Sequence, residues 1–106
     1  MDKEEKNEFL KAYMKVVIDQ LGGNGFARMV GLKKVLYSFN ENNEPTVFLY
    51  AAGLRRRAPF TISLNTNDLY DLTYGKTKET DVYAEQLQDF FKDMTGLDTV
   101  FPFIIR

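Results

Sequence analysis

The stretch FTISLNTNDLYDLTY, residues 60–74, decides the predicted fold. Its start alternates, with Phe60, Ile62 and Leu64 on one face, which is the period of a half-buried strand. A polar run, NTND, follows at once and is rich in residues that cap helices and form turns. We therefore predict a strand that passes directly into a short helical turn over residues 68–71, with helix and sheet before this stretch and helix after it.

An amphipathic helix is predicted near the N-terminus, over residues 3–21. Its apolar side chains recur at helical spacing, and Asp2 with Glu5 has the spacing of a capping box. The pair Gly22-Gly23 is expected to end this helix, because glycine adopts the left-handed conformation at little cost. Phosphate-binding loops precede a helix, whereas this pair follows one, so no phosphate site is predicted here.

A second helix is predicted over residues 82–94. Asp81 is the expected N-cap, and Tyr83 begins an apolar stripe at helical spacing. Gly96 is expected to end the helix. The polar residues 75–80 are predicted to be a loop.

Antiparallel strands are predicted between the two helices. Residues 26–39 are expected to form two strands around Gly31, or one long strand that is kinked there. Residues 46–52 are apolar on both faces, so a central strand covered on each side is expected. The predicted fold is α+β, with an N-terminal helix, an antiparallel sheet of three to four strands and a C-terminal helix, both helices lying on one face of the sheet.

The composition excludes several classes of chemistry. The 106-residue chain has no cysteine and no histidine, which removes disulfides, thiolate or imidazole metal ligands, and Ser-His or Cys-His catalysis. No apolar run approaches the roughly 20 residues of a membrane-spanning helix, and the start MDKEEKNEF lacks the apolar segment of a secretory signal. We expect a single domain over residues 1–106 that acts in the cytoplasm and not at a membrane.

The charge is uneven along the chain, although the net charge is only −1. Residues 26–64 carry six basic and two acidic side chains, whereas residues 65–106 carry four basic and eight acidic ones. A basic middle favours an anionic partner, but the surplus is small for a DNA-binding domain.

Several separated motifs point to one group of proteins. They are LGGNxF at residues 21–26, MxG at 29–31, DLYD at 68–71, DVYAEQL at 81–87 and TGL at 95–97. With them the chain resembles a group of small uncharacterised proteins encoded by bacteriophages, prophages and plasmids, over about residues 14–97. The resemblance implies a mobile-element protein in a bacterial cytoplasm, and it implies no activity, cofactor or functional residue.

The basic middle is one candidate site, for nucleic acid. Its residues lie on predicted strands and their connections: Arg28, Lys33, Lys34, Arg55, Arg56 and Arg57. These side chains would neutralise phosphates, and Tyr37, Phe48 or Tyr50 would stack on bases if they lie on an exposed sheet face. The alternative is that the arginines pair with the acidic C-terminal third and the aromatic residues belong to the core.

The second candidate is a protein interface. Six tyrosines and nine phenylalanines exceed what a core of this size needs, and aromatic residues are enriched at interfaces. The apolar tail VFPFIIR adds to this excess, with Phe101, Phe103, Ile104 and Ile105 as the expected contact residues. Pro102 argues against a helix there, so the tail is expected to cross the core, to add an edge strand or to need a partner. The expected partner is another protein or a second copy of the chain.

Four carboxylates are a candidate Mg²⁺ site, since Mg²⁺ prefers oxygen ligands: Asp68, Asp71, Asp81 and Glu85. Most of these residues lie where helix caps and first helical turns are predicted, which explains them without a ligand. No metal, cofactor or catalytic residue is therefore predicted.

The leading hypothesis is a non-enzymatic protein of a phage, prophage or plasmid that acts by protein–protein contact, on a host factor or in assembly. The alternative is a nucleic-acid-binding protein that uses the basic middle. An enzyme ranks third, because only carboxylate, lysine, tyrosine and hydroxyl chemistry remains.

Overall fold

The structure, a computed structural model, describes residues 2–55 and 58–99. Its helices are α1 (Lys3–Leu21), α2 (Gly23–Val30) and α3 (Leu87–Thr95), with a single 3₁₀ turn at Ala84–Gln86. Its strands are β1 (Leu32–Phe39), β2 (Pro45–Ala51), β3 (Phe60–Leu64), β4 (Tyr70–Tyr74) and β5 (Thr77–Val82). They form one antiparallel sheet in the order β1-β2-β3-β4-β5. The α+β class is confirmed, and the predicted number of three to four strands is wrong.

Helix α1 has the predicted bounds and the predicted cap. The Asp2 carboxylate accepts from the Glu5 N–H at 2.8 Å, and the Glu5 carboxylate accepts from the Asp2 N–H at 3.1 Å. Gly22 ends the helix, since its N–H donates to the carbonyl oxygens of Ile18 and Asp19. The residues of α1 before Leu10 are exposed. No helix in the described part of the chain is long and apolar enough to cross a bilayer.

Helix α2 corrects the strand that was predicted before Gly31. Phe26 and Val30, four residues apart, are both buried on one helical face. Gly31 then ends the helix in the left-handed conformation, with φ 67°. The glycines of this short segment have low helix propensity, so packing of the apolar pair decides its conformation.

Two glycine-to-alanine variants with opposite expected signs test this helix. No atom lies within 4 Å of a Cβ added to Gly25, inside α2, so Gly25→Ala should raise the free energy of unfolding by about 0.5–1 kcal/mol. A Cβ on Gly31 would lie 3.0 Å from the Ala52 Cβ, at φ +67°, so Gly31→Ala should lower it by about 1–2 kcal/mol. Urea denaturation followed by circular dichroism measures both. Effects of the same sign would contradict a helix that ends at Gly31.

A tight turn, and not a helical turn, follows β3. The Asn65 Oδ1 accepts from the N–H groups of Asn67 at 2.8 Å and Leu69 at 3.2 Å, and Asp68 has φ 60°. Strand β4 then buries every second residue. The predicted helical turn over residues 68–71 is wrong, because one amide side chain closes a hairpin turn here.

The residues predicted as a polar loop, 75–80, mostly belong to β5. Gly75 forms the turn before it, with φ 60°. Val82 is the one buried residue of β5, so the other positions of the strand can be polar. Asp81 has φ 55° and lies where the register between β4 and β5 shifts, so it is a bulge residue of a strand. The prediction of Asp81 as a helix N-cap is wrong.

The C-terminal helix is shorter than predicted. Tyr83 precedes it and is 54% exposed, so the predicted stripe begins only at Leu87. Leu87 and Phe91 are fully buried. Gly96 ends the helix as predicted, with φ 77° and its N–H bonded to the Lys92 carbonyl oxygen at 2.7 Å.

One hydrophobic cluster joins the helices to the sheet. The centroid of the Phe91 ring lies 4.7 Å from the ring centroid of Phe60 on β3 and 5.2 Å from that of Phe26 on α2. The Tyr13 hydroxyl, on α1, donates to the Ile62 carbonyl oxygen at 3.0 Å. All of these residues belong to the same buried core. The helices therefore lie against the sheet face that carries Phe60, and no described element covers the opposite, open face.

Candidate binding surface

The open face of the sheet carries an apolar patch on its first two strands. Leu36 pairs with Phe48 across β1 and β2, and Leu36 is 46% exposed. Val47 and Leu49 are fully buried in the core, so the alternation of β2 turns Phe48 and Tyr50 to the open face. Leu36, Phe48 and Tyr50, with neighbouring residues of β1, line a shallow cavity of about 520 Å³. We call these three residues the apolar patch.

Strand β2 is covered on one side only by the described part of the chain, and not on both as predicted. Strand β2 was predicted to be covered on both sides because both of its faces are apolar. Among the described residues only the Val47 side is covered, and Phe48 and Tyr50 are half-buried. Large aromatic side chains on an uncovered sheet face are typical of a contact surface.

Lys34 adds a cation to the edge of the patch. It pairs with Tyr50 across the two strands, and its Nζ lies 4.7 Å from the centroid of the Tyr50 ring. An exposed cation–π contact of this kind contributes about 0.5–1 kcal/mol. The ring is thereby held on the open face beside a positive charge.

The residues of the predicted basic middle that the structure describes lie around one end of the sheet. The Ala52 N–H donates to the Gly31 carbonyl oxygen at 2.8 Å, and the Gly53 N–H donates to the Val30 carbonyl oxygen at 3.0 Å. These bonds hold the start of β1 against the end of β2. Four exposed basic residues flank this junction: Arg28, Lys33, Lys34 and Arg55. The predicted residues Arg56 and Arg57 lie outside the described residues.

These basic residues do not share one face. Lys34 lies on the open face, beside Tyr50. The Arg55 guanidinium lies 5.8 Å from the centroid of the Tyr74 ring, and the Arg55 N–H donates to the Tyr74 hydroxyl at 2.7 Å. Tyr74 belongs to the core on the helical side. The cations therefore surround the end of the sheet, which is a less favourable geometry for following one phosphate backbone.

Two of the three aromatic residues considered for base stacking lie on the open face. Phe48 and Tyr50 do so, whereas Tyr37 packs against the core from β1. The signal for the third member of the patch, Leu36, is present in the sequence. Leu36 is an apolar residue in the polar phase of an alternating strand, between Lys34 and Ser38.

The other end of the open face is polar and acidic. Glu41, Glu44 and Asp71 line a smaller cavity of about 220 Å³ there, together with Lys78. The open face thus changes from basic at the Lys34 end to acidic at the hairpin between β1 and β2.

The four candidate carboxylates are only partly brought together. The Asn65 amide donates to Asp71 at 2.9 Å and to Asp81 at 2.8 Å, so these two carboxylates share one donor. Asp68 lies in the turn after β3, and Glu85 lies in the 3₁₀ turn. Within residues 2–55 and 58–99, no group of three or more Asp, Glu, His or Cys side chains is placed to hold a metal ion.

The predicted contact residues of the C-terminal tail, Phe101, Phe103, Ile104 and Ile105, lie outside the described residues. The last described residue, Thr99, is 5% exposed. Its carbonyl oxygen lies 3.1 Å from the position that a Cβ of Gly22 would take. The chain therefore reaches the tail from beside the junction of α1 and α2.

Comparisons with known proteins add no relative. The chain matches no protein-family model, no curated protein and no solved structure.

Proposed function

We propose that the protein is a non-enzymatic binding protein of a bacteriophage, prophage or plasmid, and that it acts by protein–protein contact in the bacterial cytoplasm. The observation that supports this most is the apolar patch, which lies on an uncovered sheet face. Aromatic side chains such as those of Phe48 and Tyr50 bury large areas on binding, and they are enriched in protein interfaces. Modulation of a host factor and assembly of a mobile-element complex are the two roles that fit such a surface. The resemblance of residues 14–97 to mobile-element proteins supports the cellular setting.

Site-specific photocrosslinking in bacteria tests this proposal. A photoreactive phenylalanine analogue at position 48 should capture a protein of defined mass. The same analogue in place of Tyr83, which is 54% exposed and lies after β5, should not capture it. Mass spectrometry of the adduct identifies the partner. No adduct at position 48, or equal adducts at both positions, would count against the proposal.

A pair of matched aspartate variants adds a prediction on the same readout. Leu36 and Val16 are 46% and 49% exposed, so neither change opens the core. Leu36→Asp should reduce capture at position 48 by about tenfold or more, because it puts a charge into the patch. Val16→Asp, on α1, should leave capture unchanged. Equal effects of the two variants would place the contact elsewhere.

Nucleic-acid binding is the second candidate, and one observation favours it. Lys34, Tyr50 and Phe48 place a cation beside two aromatic side chains on an open sheet face, which is how sheet platforms bind single strands. In this case phosphates would be neutralised by the basic end of the sheet, and Arg56 and Arg57 would extend it.

Fluorescence anisotropy with labelled single- and double-stranded oligonucleotides separates the two candidates. A nucleic-acid binder should lose affinity steeply as salt is added. On single strands, the logarithm of the association constant should fall by about 0.7 per unit of log salt concentration for each phosphate contact. It should also weaken when Arg55, Arg56 and Arg57 become alanine, and when Phe48→Ala removes a stacking ring. A protein-binding module should show no such binding even at low salt.

A further inference from the structure

Strand β1 leaves one edge of the sheet without a neighbour among the described residues. The hairpin bond from the Asn40 N–H to the Glu44 carbonyl oxygen, at 2.9 Å, sets the hydrogen-bond alternation of β1 and β2. The N–H and C=O groups of Val35, Tyr37 and Phe39 therefore point away from the sheet. A row of free donors and acceptors of this kind is a template for another strand.

The opposite edge, β5, is the shorter of the two and has its bulge near its end. Strand β5 is interrupted by the bulge at Asp81, and Lys78 and Glu79 put charges on it. These features discourage strand pairing. Strand β1 is eight residues long, and both its register shift and its charges, Lys33 and Lys34, are confined to its first three residues. Its register with β2 is regular from Lys34 to Phe39. The sheet therefore has one blocked edge and one receptive edge.

Concave apolar surfaces flank the receptive edge on both sides. On the open face lies the cavity of the apolar patch. On the helical side a second cavity of about 470 Å³ lies between β1 and the start of α1, with Leu10, Tyr37 and Phe39 as its apolar lining. Lys3, Glu4 and Lys6 also line it, with charges of both signs. Alternate side chains of an added strand point to opposite faces, so each would enter one of these cavities.

The charge along the edge identifies the strand that fits. Exposed Lys33 and Lys34 lie at the start of β1, and exposed Glu41 lies just beyond its end. An antiparallel copy of the same strand brings each basic end beside the acidic end of the other copy, whereas a parallel copy brings like charges together. We propose that two copies of the chain join edge to edge through β1, antiparallel, about a two-fold axis at Leu36. This inference depends on the proposed function, since it names a second copy as one protein partner.

The proposed register has definite consequences. Leu36 faces Leu36 of the second copy on the open face, and Val35 forms hydrogen bonds with the second copy's Tyr37. Lys34 lies opposite Ser38 of the second copy, within reach of its Glu41. The result is a ten-stranded sheet whose two apolar patches adjoin across the axis, with all helices on the other face.

The absence of cysteine from the chain makes a sharp test of this register. In a non-hydrogen-bonded antiparallel pair the Cα atoms are about 4.5 Å apart, which is within the range for a disulfide. Leu36→Cys should therefore form a disulfide-linked dimer rapidly under mild oxidation. Thr77→Cys, on the exposed β5 edge, is the matched control and should stay largely monomeric. Equal rates of linkage in the two variants would overturn the register.

Charge exchange tests the antiparallel arrangement independently, on the full chain in solution. Lys34→Glu alone and Glu41→Lys alone should each weaken the dimer about three- to tenfold, because like charges then face each other. Mixing the two variants should restore association, since both contacts are again of opposite sign. Weakening without restoration would overturn the arrangement.

Sedimentation of the wild-type chain separates this inference from the proposed function. A monomer–dimer equilibrium that Leu36→Asp shifts to monomer supports the inference. A monomer at every accessible concentration overturns it, but the proposed function survives if position 48 still captures another protein. A dimer whose position 48 captures only a second copy supports the inference and removes the host-protein role.

Discussion

Replacing Phe91 by alanine is expected to lower the free energy of unfolding by about 3–5 kcal/mol. The side chain is fully buried, and its ring contacts the rings of Phe60 and Phe26 at 4.7 and 5.2 Å. Each aromatic pair contributes roughly 0.5–1.5 kcal/mol in addition to the stabilisation from the area that it buries. Since α2, α3 and β3 meet at this ring, no single element can move to fill the cavity. The loss is a large part of the roughly 5–15 kcal/mol that stabilises a typical domain.

The matched control for this prediction is Phe9→Ala. Phe9 is 43% exposed and stacks on Phe39 with 6.1 Å between the centroids. This change should cost at most about 1 kcal/mol. The chain has no tryptophan, so far-ultraviolet circular dichroism in urea is the suitable probe for both variants. Equal losses for Phe91 and Phe9 would contradict the core described above.

The parts of the fold that could be predicted from sequence are those where local and tertiary preferences agree. Helix α1 has an apolar stripe and a capping box, and the two patterns predict the same helix. Strand β3 has a clean alternation, since one of its faces is buried in the core. In each case one pattern has only one structural solution.

The parts that could not be predicted are those where a few side chains override the local pattern. Helix α2 has glycine at two of its first three positions, Gly23 and Gly25, but forms because Phe26 and Val30 bury the same face. The turn after β3 contains residues that cap helices equally well, and the Asn65 amide selects a hairpin. Strand β5 has almost no apolar alternation, because it is an edge strand with both faces largely exposed. Nothing in its composition distinguishes it from a loop.

The candidate surface was predictable only in its members and not in their arrangement. Phe48 and Tyr50 were named as possible stacking residues, but an apolar strand gives no indication of which face is left uncovered. That outcome follows from all three helices lying on one side of the sheet. The receptive edge depends on the strand order, which places β1 at one edge of the sheet, and strand order is a tertiary property.

Tyr13 gives the protein a specific sensitivity to alkaline pH. Its hydroxyl donates to the Ile62 carbonyl oxygen at 3.0 Å. Burial raises the pKa of Tyr13 strongly, and the negative charge that Tyr70 would carry raises it further. Burial also raises the pKa of Tyr70, against the opposing effect of its hydrogen bond with Gln20. Both phenols are therefore held in the neutral form by the fold.

The sign of the pH dependence follows from the direction of these shifts. An unfolded tyrosine titrates near pH 10, so above that pH the unfolded chain binds fewer protons than the folded one. Stability is therefore fully present below about pH 10 and falls above it, by about 1.4 kcal/mol per pH unit for each tyrosine that remains protonated in the fold.

Tyr13→Phe should be less stable than the wild type at neutral pH and more stable than the wild type at alkaline pH. The variant lacks the bond to Ile62 and should be about 1 kcal/mol less stable at neutral pH. It also lacks one titrating group, so its free energy of unfolding should fall less steeply with pH. The stability curves of variant and wild type should cross at about pH 11. Lysine titration affects both proteins alike and cancels in the comparison. Urea unfolding from about pH 8 to 11.5 measures the crossing. Curves that stay parallel would show that the Tyr13 hydroxyl is not the buried proton donor between α1 and β3, because only a phenol kept neutral by the fold produces the difference in slope.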